Sequence, residues 1–462
     1  MDARPTPRPY HDRTMQRPPQ TVRQMGVWSA TAIVTGEAIS LGIFLTPAGM
    51  ARSLGSPALL AAVWCGMAVM TLAGALCFTE LAVRNPYDGG EYLYLRRGFG
   101  RNVAFLYGWM AAVVMYPGVS AALCVGLVPY IQALIPFPRA FARLIPAILI
   151  LAFGALNYFG TRMSRGVLST LNWTKVPLLL GLVGWALASP HASMASLAST
   201  VRPAGSDPLA GAIAGAAISA FFCFGGWWEA GKIAGQVRNP ARTLPIAFTG
   251  GVLVVTALYL LLSLAFVAVV PMRQISSDTA FVAQFGEALF GPAGARVLSA
   301  LVVICVLGGL MVLNMAVPRV TYALAREEGE AGLLAPFARL HSRFGSPANA
   351  VLLQTGMALL VLFMGAFDRI LAFIIFSAVV FLALSAATLF VAITPVQRWW
   401  YPAAPIVFVA ASAALAFMLL MHQPGPALLG AAIVFAGLPV RALVVRANKT
   451  ASAVSPFMET ET

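Results

Sequence analysis

The sequence predicts an all-α membrane protein with about twelve transmembrane helices, and three observations carry that prediction. Hydrophobic residues make up 60% of the 462 and charged residues only 10%, for a mean hydropathy of +0.83. A soluble domain is about a quarter charged, so this chain has too few charges to cover a water-facing globule of its size. The apolar residues also fall in long runs rather than alternating stretches, which favours helical spans over an outer-membrane barrel. Finally, the basic residues that give a net charge of +14 sit in the short segments between those runs.

Apolar runs can be marked at about 27–54, 57–83, 102–134, 142–160, 167–189, 209–232, 245–270, 294–325, 347–366, 369–394, 402–422 and 425–446. Most match the ~20 residues that cross ~30 Å of hydrocarbon; the third and eighth are longer and are expected to tilt or protrude. With a cytoplasmic N-terminus, 23 of the 30 Lys and Arg residues lie on the inner side and 7 on the outer, the orientation that the positive-inside rule favours. An even number of spans then leaves both termini cytoplasmic. Residues 1–25, polar and rich in Arg and Pro, read as a disordered cytoplasmic tail. The expected organisation beyond it is a ten-helix core over 26–395, with halves at about 26–190 and 208–395. Two accessory helices over 396–446 and a second cytoplasmic tail over 447–462 complete it. Of the connections, only 271–293 offers an amphipathic surface helix.

Several function classes are excluded by residue placement. A nucleic-acid binder clusters its basic residues on one soluble face, and this chain spreads them between apolar runs. Cys65, Cys77, Cys124, Cys223 and Cys305 all fall inside apolar runs without CxxC spacing and read as small buried hydrophobes. The four histidines are scattered among loops and span ends, so no metal site and no cofactor are expected. No HExxH or paired-Asp arrangement suggests a membrane-embedded enzyme.

Two spans carry glycine where a helix is weakened by roughly 1 kcal/mol relative to alanine. Span one reads Thr35-Gly36-Glu37-Ala38-Ile39-Ser40-Leu41-Gly42-Ile43-Phe44 and continues to Pro47; span six reads Phe222-Cys223-Phe224-Gly225-Gly226-Trp227. Small residues alone serve close helix packing. Their positions, first and sixth, make them equivalents in a five-plus-five inverted repeat, where glycine-interrupted spans mark a transporter's binding site. Unwound backbone there offers N–H groups to a carboxylate and carbonyls to an ammonium or cation.

Ionisable residues within spans are functional candidates by default. Glu37 precedes the span-one break and Glu229 follows the span-six break; each reads equally as a polar link to a neighbouring helix. Lys175, at the start of span five, either snorkels to the inner interface or reaches into the bundle. Glu80, near the inner end of span two, reads as interfacial.

These residues resemble the amino acid–polyamine–organocation (APC) superfamily, especially bacterial amino acid permeases. Ile39-Ser40-Leu41-Gly42-Ile43-Phe44 is similar to that family's IGSGIF stretch, and Phe222-Cys223-Phe224-Gly225-Gly226-Trp227 to its FAYGGW-like stretch. Gln236 through Pro245 resembles the EVKNPxRxLP loop. Arg319 through Glu327, with Phe344-Gly345-Ser346-Pro347, resembles the RxxYAxARD…GTP region. The resemblance implies a LeuT-like fold with two extra C-terminal helices, working by alternating access in a bacterial inner membrane. It implies that Ile39, Leu41, Gly42 and Ile43 offer backbone to a substrate carboxylate, and that Phe222, Phe224 and Gly225 meet its amino group and side chain. Phe222 is also the implied aromatic gate. Lys175 is the implied substitute for a sodium ion, or a proton carrier, which points to proton symport or exchange. Leu41 departs from the family, placing a bulky apolar group where a small residue is usual, which either narrows the expected pocket or turns a side chain into the span interface. The expected substrate is a small or medium neutral amino acid; polyamines or other organic amines are the alternative, kept open by Glu37, and a transporter-like sensor is a remote one. In some animal relatives a loop cysteine holds a glycoprotein partner; Ile135-Pro136-Phe137-Pro138-Arg139 has none, so no disulfide-linked heavy subunit is expected.

Overall fold

The structure, a computed structural model, describes residues 25–39, 42–87, 89–159, 165–200, 202, 208–271, 274–275, 281–328, 332–365, 367–391 and 398–454. The expectations for Leu41, Ser40, residues 1–24 of the first tail and 455–462 of the second lie outside the described residues.

The chain folds as α1 (Val27–Ala38), α2 (Gly42–Leu54), α3 (Pro57–Arg84), α4 (Gly90–Phe99), α5 (Arg101–Met110), α6 (Tyr116–Leu134), α7 (Leu144–Tyr158), α8 (Arg165–Ala188), α9 (Met194–Ala198), α10 (Leu209–Phe224), α11 (Pro240–Val269), α12 (Phe281–Glu328), α13 (Ala348–Leu362), α14 (Phe367–Ala387), α15 (Ala403–His422), α16 (Pro424–Phe435) and α17 (Gly437–Val454). A π-helical turn, Ala111–Met115, joins α5 to α6, and a 3-10 segment, Trp227–Gln236, follows α10. Among the described residues nine helices are long and apolar enough to cross a membrane, and α1 with α2 forms a tenth candidate bent by 47°. Two shorter apolar helices, Lys175–Ala188 and Ala348–Leu362, occupy the fifth and ninth apolar runs. The chain is a multi-pass, all-α membrane protein.

Local chemistry sets several helix starts. Ser56 caps α3, its hydroxyl accepting the Leu59 N–H at 3.4 Å, and Pro57 follows at the first helical position. Asn239 adopts φ +45° and Pro240 starts α11. The two legs of α12 meet at a kink where Gly291 stands at φ +69°; the first leg fills the connection in which the sequence allowed an amphipathic helix.

α1, α3, α10 and α11 pack together at the centre, with α2 against α10 and α6 against α12. α15 and α16 lie outside, on α14 and α3. The outer surface is apolar, with Leu151, Leu253, Phe417, Leu428 and Phe435 exposed, a surface that suits lipid and not water.

One expectation needs correction. Not all five cysteines are buried: Cys77, Cys124 and Cys223 are, whereas Cys65 is exposed and Cys305 is half-buried. Cys65 shares the outward stripe of α3 with Val69, one turn on, where lipid takes the place of a protein neighbour. Glu80, four residues before the end of α3, is buried at 6% exposure. Arg84 and Arg398 donate to its two oxygens at 2.8 and 2.9 Å, and this pairing compensates the loss of water.

Candidate functional site: two facing helix breaks

The two interrupted helices meet at their interruptions. α1 ends with Ile39 at φ −75°, ψ 73°. α10 ends at Phe224; Gly225 is extended, and Gly226 adopts the left-handed φ of +97°. A Cβ on Gly226 would lie 2.9 Å from Glu37 Cβ, and one on Gly42 would lie 3.0 Å from Cys223 Cα. Each break therefore seats a glycine against the other's backbone. Only a residue without a side chain permits that approach.

Three polar side chains from other elements satisfy the groups freed by the breaks. The Tyr259 hydroxyl (α11) lies 2.5 Å from the Ala38 carbonyl and 3.0 Å from the Cys223 carbonyl, so one phenol bridges both breaks. Tyr130 (α6) donates to the Phe44 carbonyl at 2.7 Å. Lys175, buried at 9% exposure, donates to the Ile39 carbonyl at 3.4 Å. It stands where the apolar part of α8, Lys175–Ala188, begins, and its ammonium reaches the end of α1. Within the breaks, Thr46 Oγ1 lies 2.8 Å from Cys223 Sγ and donates to the Gly42 carbonyl at 3.0 Å.

The aromatic residues divide into two roles. Phe224 is buried, its ring 6.0 Å from Trp64 and 5.5 Å from Tyr259 by centroid, which leaves its backbone as the group it can present. Phe222 is half-buried and meets Phe367 edge-on at 5.7 Å. Phe367 begins α14, so this contact links span six to span ten. Ile39 and Ile43 are buried beside the break.

The intramembrane acids have distinct settings. Glu37 lies against Gly226 and feels the charges of Glu229, Lys175 and Lys232. Glu229 is ion-paired, both its oxygens 2.8 Å from Lys232 Nζ, and it accepts from the Tyr116 hydroxyl at 3.1 Å. The structure thus gathers Ile39, Gly42, Ile43, Glu37, Lys175, Phe222, Phe224 and Gly225 around the breaks and sets Glu229 beyond them, on the 3-10 segment. Sequence reasoning missed Tyr259, Tyr130, Tyr116 and Lys232. For Lys232 a signal existed, the three-residue spacing from Glu229 that places both on one helical face; a tyrosine inside an apolar run carries no such sign.

This geometry, two interrupted helices apposed at the centre of a helical bundle, occurs along a chain whose residues 25–440 match the amino acid permease family. The chain belongs to the amino acid permease family. Similarity to individual members is spread along the whole length. The permease is 25% identical over 373 residues to the serine/threonine exchanger SteT of Bacillus subtilis, covering 80% of this chain and 83% of that one. It is 27% identical over 466 residues to the large neutral amino acids transporter small subunit 2 of Rattus norvegicus, covering 95% and 84%. It is 26% identical over 276 residues to the b(0,+)-type amino acid transporter 1 of Mus musculus, covering 59% and 56%. The permease is an amino acid transporter and not an enzyme.

Proposed function

We propose that this permease carries small or medium neutral amino acids across a bacterial inner membrane by alternating access, coupled to protons or to exchange and not to sodium. Twelve spans with both termini cytoplasmic fit the distribution of Lys and Arg. The observation that carries the reading is the pairing of the two breaks with the Lys175 ammonium at the Ile39 carbonyl. Backbone N–H groups at the start of α2 face a substrate carboxylate, and the carbonyls around Phe222 and Phe224 face its ammonium. Lys175 supplies a fixed cation next to α1, where it makes a bound sodium ion superfluous, and a buried lysine can also give up its proton. Phe222, in contact with Phe367, closes one side of the substrate space. The bulky residue at position 41, where the family usually has a small one, favours a substrate with a modest side chain. The names of the three relatives, an exchanger and two amino acid transporters, support the substrate class and make exchange a natural mode. No disulfide-linked heavy subunit is invoked.

Glu37 favours a second reading. A carboxylate next to Gly226, at the junction of the breaks, suits a polyamine or another organic amine. Uptake of a labelled panel into proteoliposomes, with and without an inward proton gradient, separates these readings. Saturable amino acid uptake that the gradient stimulates, and that Lys175→Ala abolishes, is the expected result. Uptake that requires internal amino acid selects exchange. Uptake of polyamines but of no amino acid overturns the leading substrate class.

A further inference from the structure

A second buried charge cluster lies beyond the breaks, where α4 docks on the 3-10 segment of span six. α4 opens with Gly89 at φ +136° and Gly90 at φ +51°. The Gly89 N–H donates to the Lys232 carbonyl at 3.1 Å, and a Cβ on Gly90 would lie 2.7 Å from Lys232 Cγ and 3.2 Å from its backbone nitrogen. This close seating buries the next residue, Glu91, completely, at 0% exposure. Glu91 Oε1 is 4.0 Å from Lys232 Nζ. That ammonium is already engaged, with both oxygens of Glu229 at 2.8 Å and with the Tyr116 hydroxyl. Among the described residues neither oxygen of Glu91 makes a well-formed hydrogen bond, and the Tyr94 hydroxyl is also buried without one; the Tyr107 hydroxyl and the Glu91 backbone N–H lie near enough to favour the carboxylate, but only as minor influences beside burial. The cluster therefore offers two carboxylates to one ammonium, and the ammonium has taken Glu229.

An ionised carboxylate shut away from water without a well-formed donor is strongly disfavoured, and a neutral carboxyl much less so. We propose that Glu91 is a proton-carrying site of the permease, protonated in this conformation, and that loss of its proton draws the Lys232 ammonium from Glu229 to Glu91. In that step the carboxyl O–H bond breaks and the proton passes to water admitted as α4 and the 3-10 segment part. The carboxylate left behind becomes the better partner for Lys232, and reprotonation returns the ammonium to Glu229.

The surroundings support this assignment. α4 contributes Tyr94, the third span Tyr107 and Tyr116, and the sixth span Glu229 and Lys232. Glu37 of α1 acts on this last pair through space. α3 meets α4 through Phe78, and the turn after α14 meets it through Thr388, neither of which titrates. Glu91 lies in the connection between the second and third spans, and burial pushes its carboxyl up to about 7, reinforced by Glu229 and opposed by Lys232.

The test is infrared difference spectroscopy on the substrate-free permease in lipid, titrated from about pH 5 to about pH 9. The expected result is a carboxylic C=O band that disappears near neutrality, is missing from Glu91→Gln, and titrates about one pH unit or more higher in Lys232→Met, which lacks the cation that stabilises the carboxylate. An unchanged band in Glu91→Gln, or the absence of such a band in the unmodified protein, overturns the proposal. If Glu91→Gln does not fold, the Lys232→Met titration decides, and an unshifted band is then the negative result. In proteoliposomes, Glu91→Gln is expected to lose the dependence of uptake on internal pH; a retained profile counts against the proposal. That uptake arm rests on the amino acid reading above, whereas the infrared arm does not, so failure of one is distinguishable from failure of the other.

Discussion

Gly226 stands at φ +97°, and the Cβ that alanine would add comes within 2.9 Å of Glu37 Cβ and 3.1 Å of the Glu37 carbonyl carbon. Both the backbone angle and the contact oppose any side chain, so Gly226→Ala is expected to destabilise the permease by roughly 1–3 kcal/mol. Thermal unfolding in detergent checks this, with Gly66→Ala as the control, since a Cβ there meets nothing within 4 Å. Glu91 makes a different prediction. Folded, its carboxyl holds a proton up to about 7, against an ordinary value of 4.5. Between those values the folded state binds more protons than the unfolded one, so stability falls as pH rises through this window, by up to about 1.4 kcal/mol per pH unit. Glu91→Gln removes that contribution, and its unfolding temperature is expected to vary less from about pH 5 to about pH 7.

The helix breaks are held by elements that are themselves unbroken. α11 supplies Tyr259, whose hydroxyl touches the carbonyls of Ala38 and Cys223 while its ring packs on Trp64 and Phe224. Tyr259→Phe keeps the ring and deletes the bridge. The expected loss of stability is about 1 kcal/mol, with a larger effect on function: uptake is expected to fall about tenfold or more, because small displacements of binding groups are amplified in rate. Initial-rate uptake normalised to folded protein measures it, and a rate like that of the unmodified permease removes Tyr259 from the positioning role. The breaks themselves were legible, because glycine in an apolar run at two equivalent positions is a sequence pattern. Their partners were not, because Tyr259 and Tyr130 are single polar tips in apolar helices, brought to the breaks only by packing. The π turn at Ala111–Met115 was equally hidden, since nothing in Ala-Ala-Val-Val-Met departs from an ordinary helical run.

For the whole molecule, long apolar runs and basic connections were enough to read an all-α membrane bundle, because the bilayer dictates both the length of each span and the placement of its flanking charges. The charge clusters were read less well. Glu80 reads as interfacial from its position near a span end, but its pairing with Arg398, more than three hundred residues away, has no sign in the sequence. Lys175 stands at the start of an apolar stretch, Lys175–Ala188, and its contact with the Ile39 carbonyl comes only from packing of α8 on α1. Its place beside α1 predicts that replacing sodium by choline on both sides of the membrane leaves uptake unchanged in rate and affinity; a sodium-dependent affinity removes Lys175 from the role of resident cation. A last feature concerns how the two broken helices can travel. The backbone of Met25 accepts from Arg238 N–H at 2.8 Å and donates to the Gln236 carbonyl at 3.0 Å, a short two-rung ladder joining the lead-in to α1 with the exit of the 3-10 segment. Main-chain rungs are indifferent to side-chain replacement, so this splice resists point mutation. While it holds, any displacement of the lead-in to α1 is passed to the exit of the 3-10 segment, so a spectroscopic label fixed beside Met25 is expected to report movement of either.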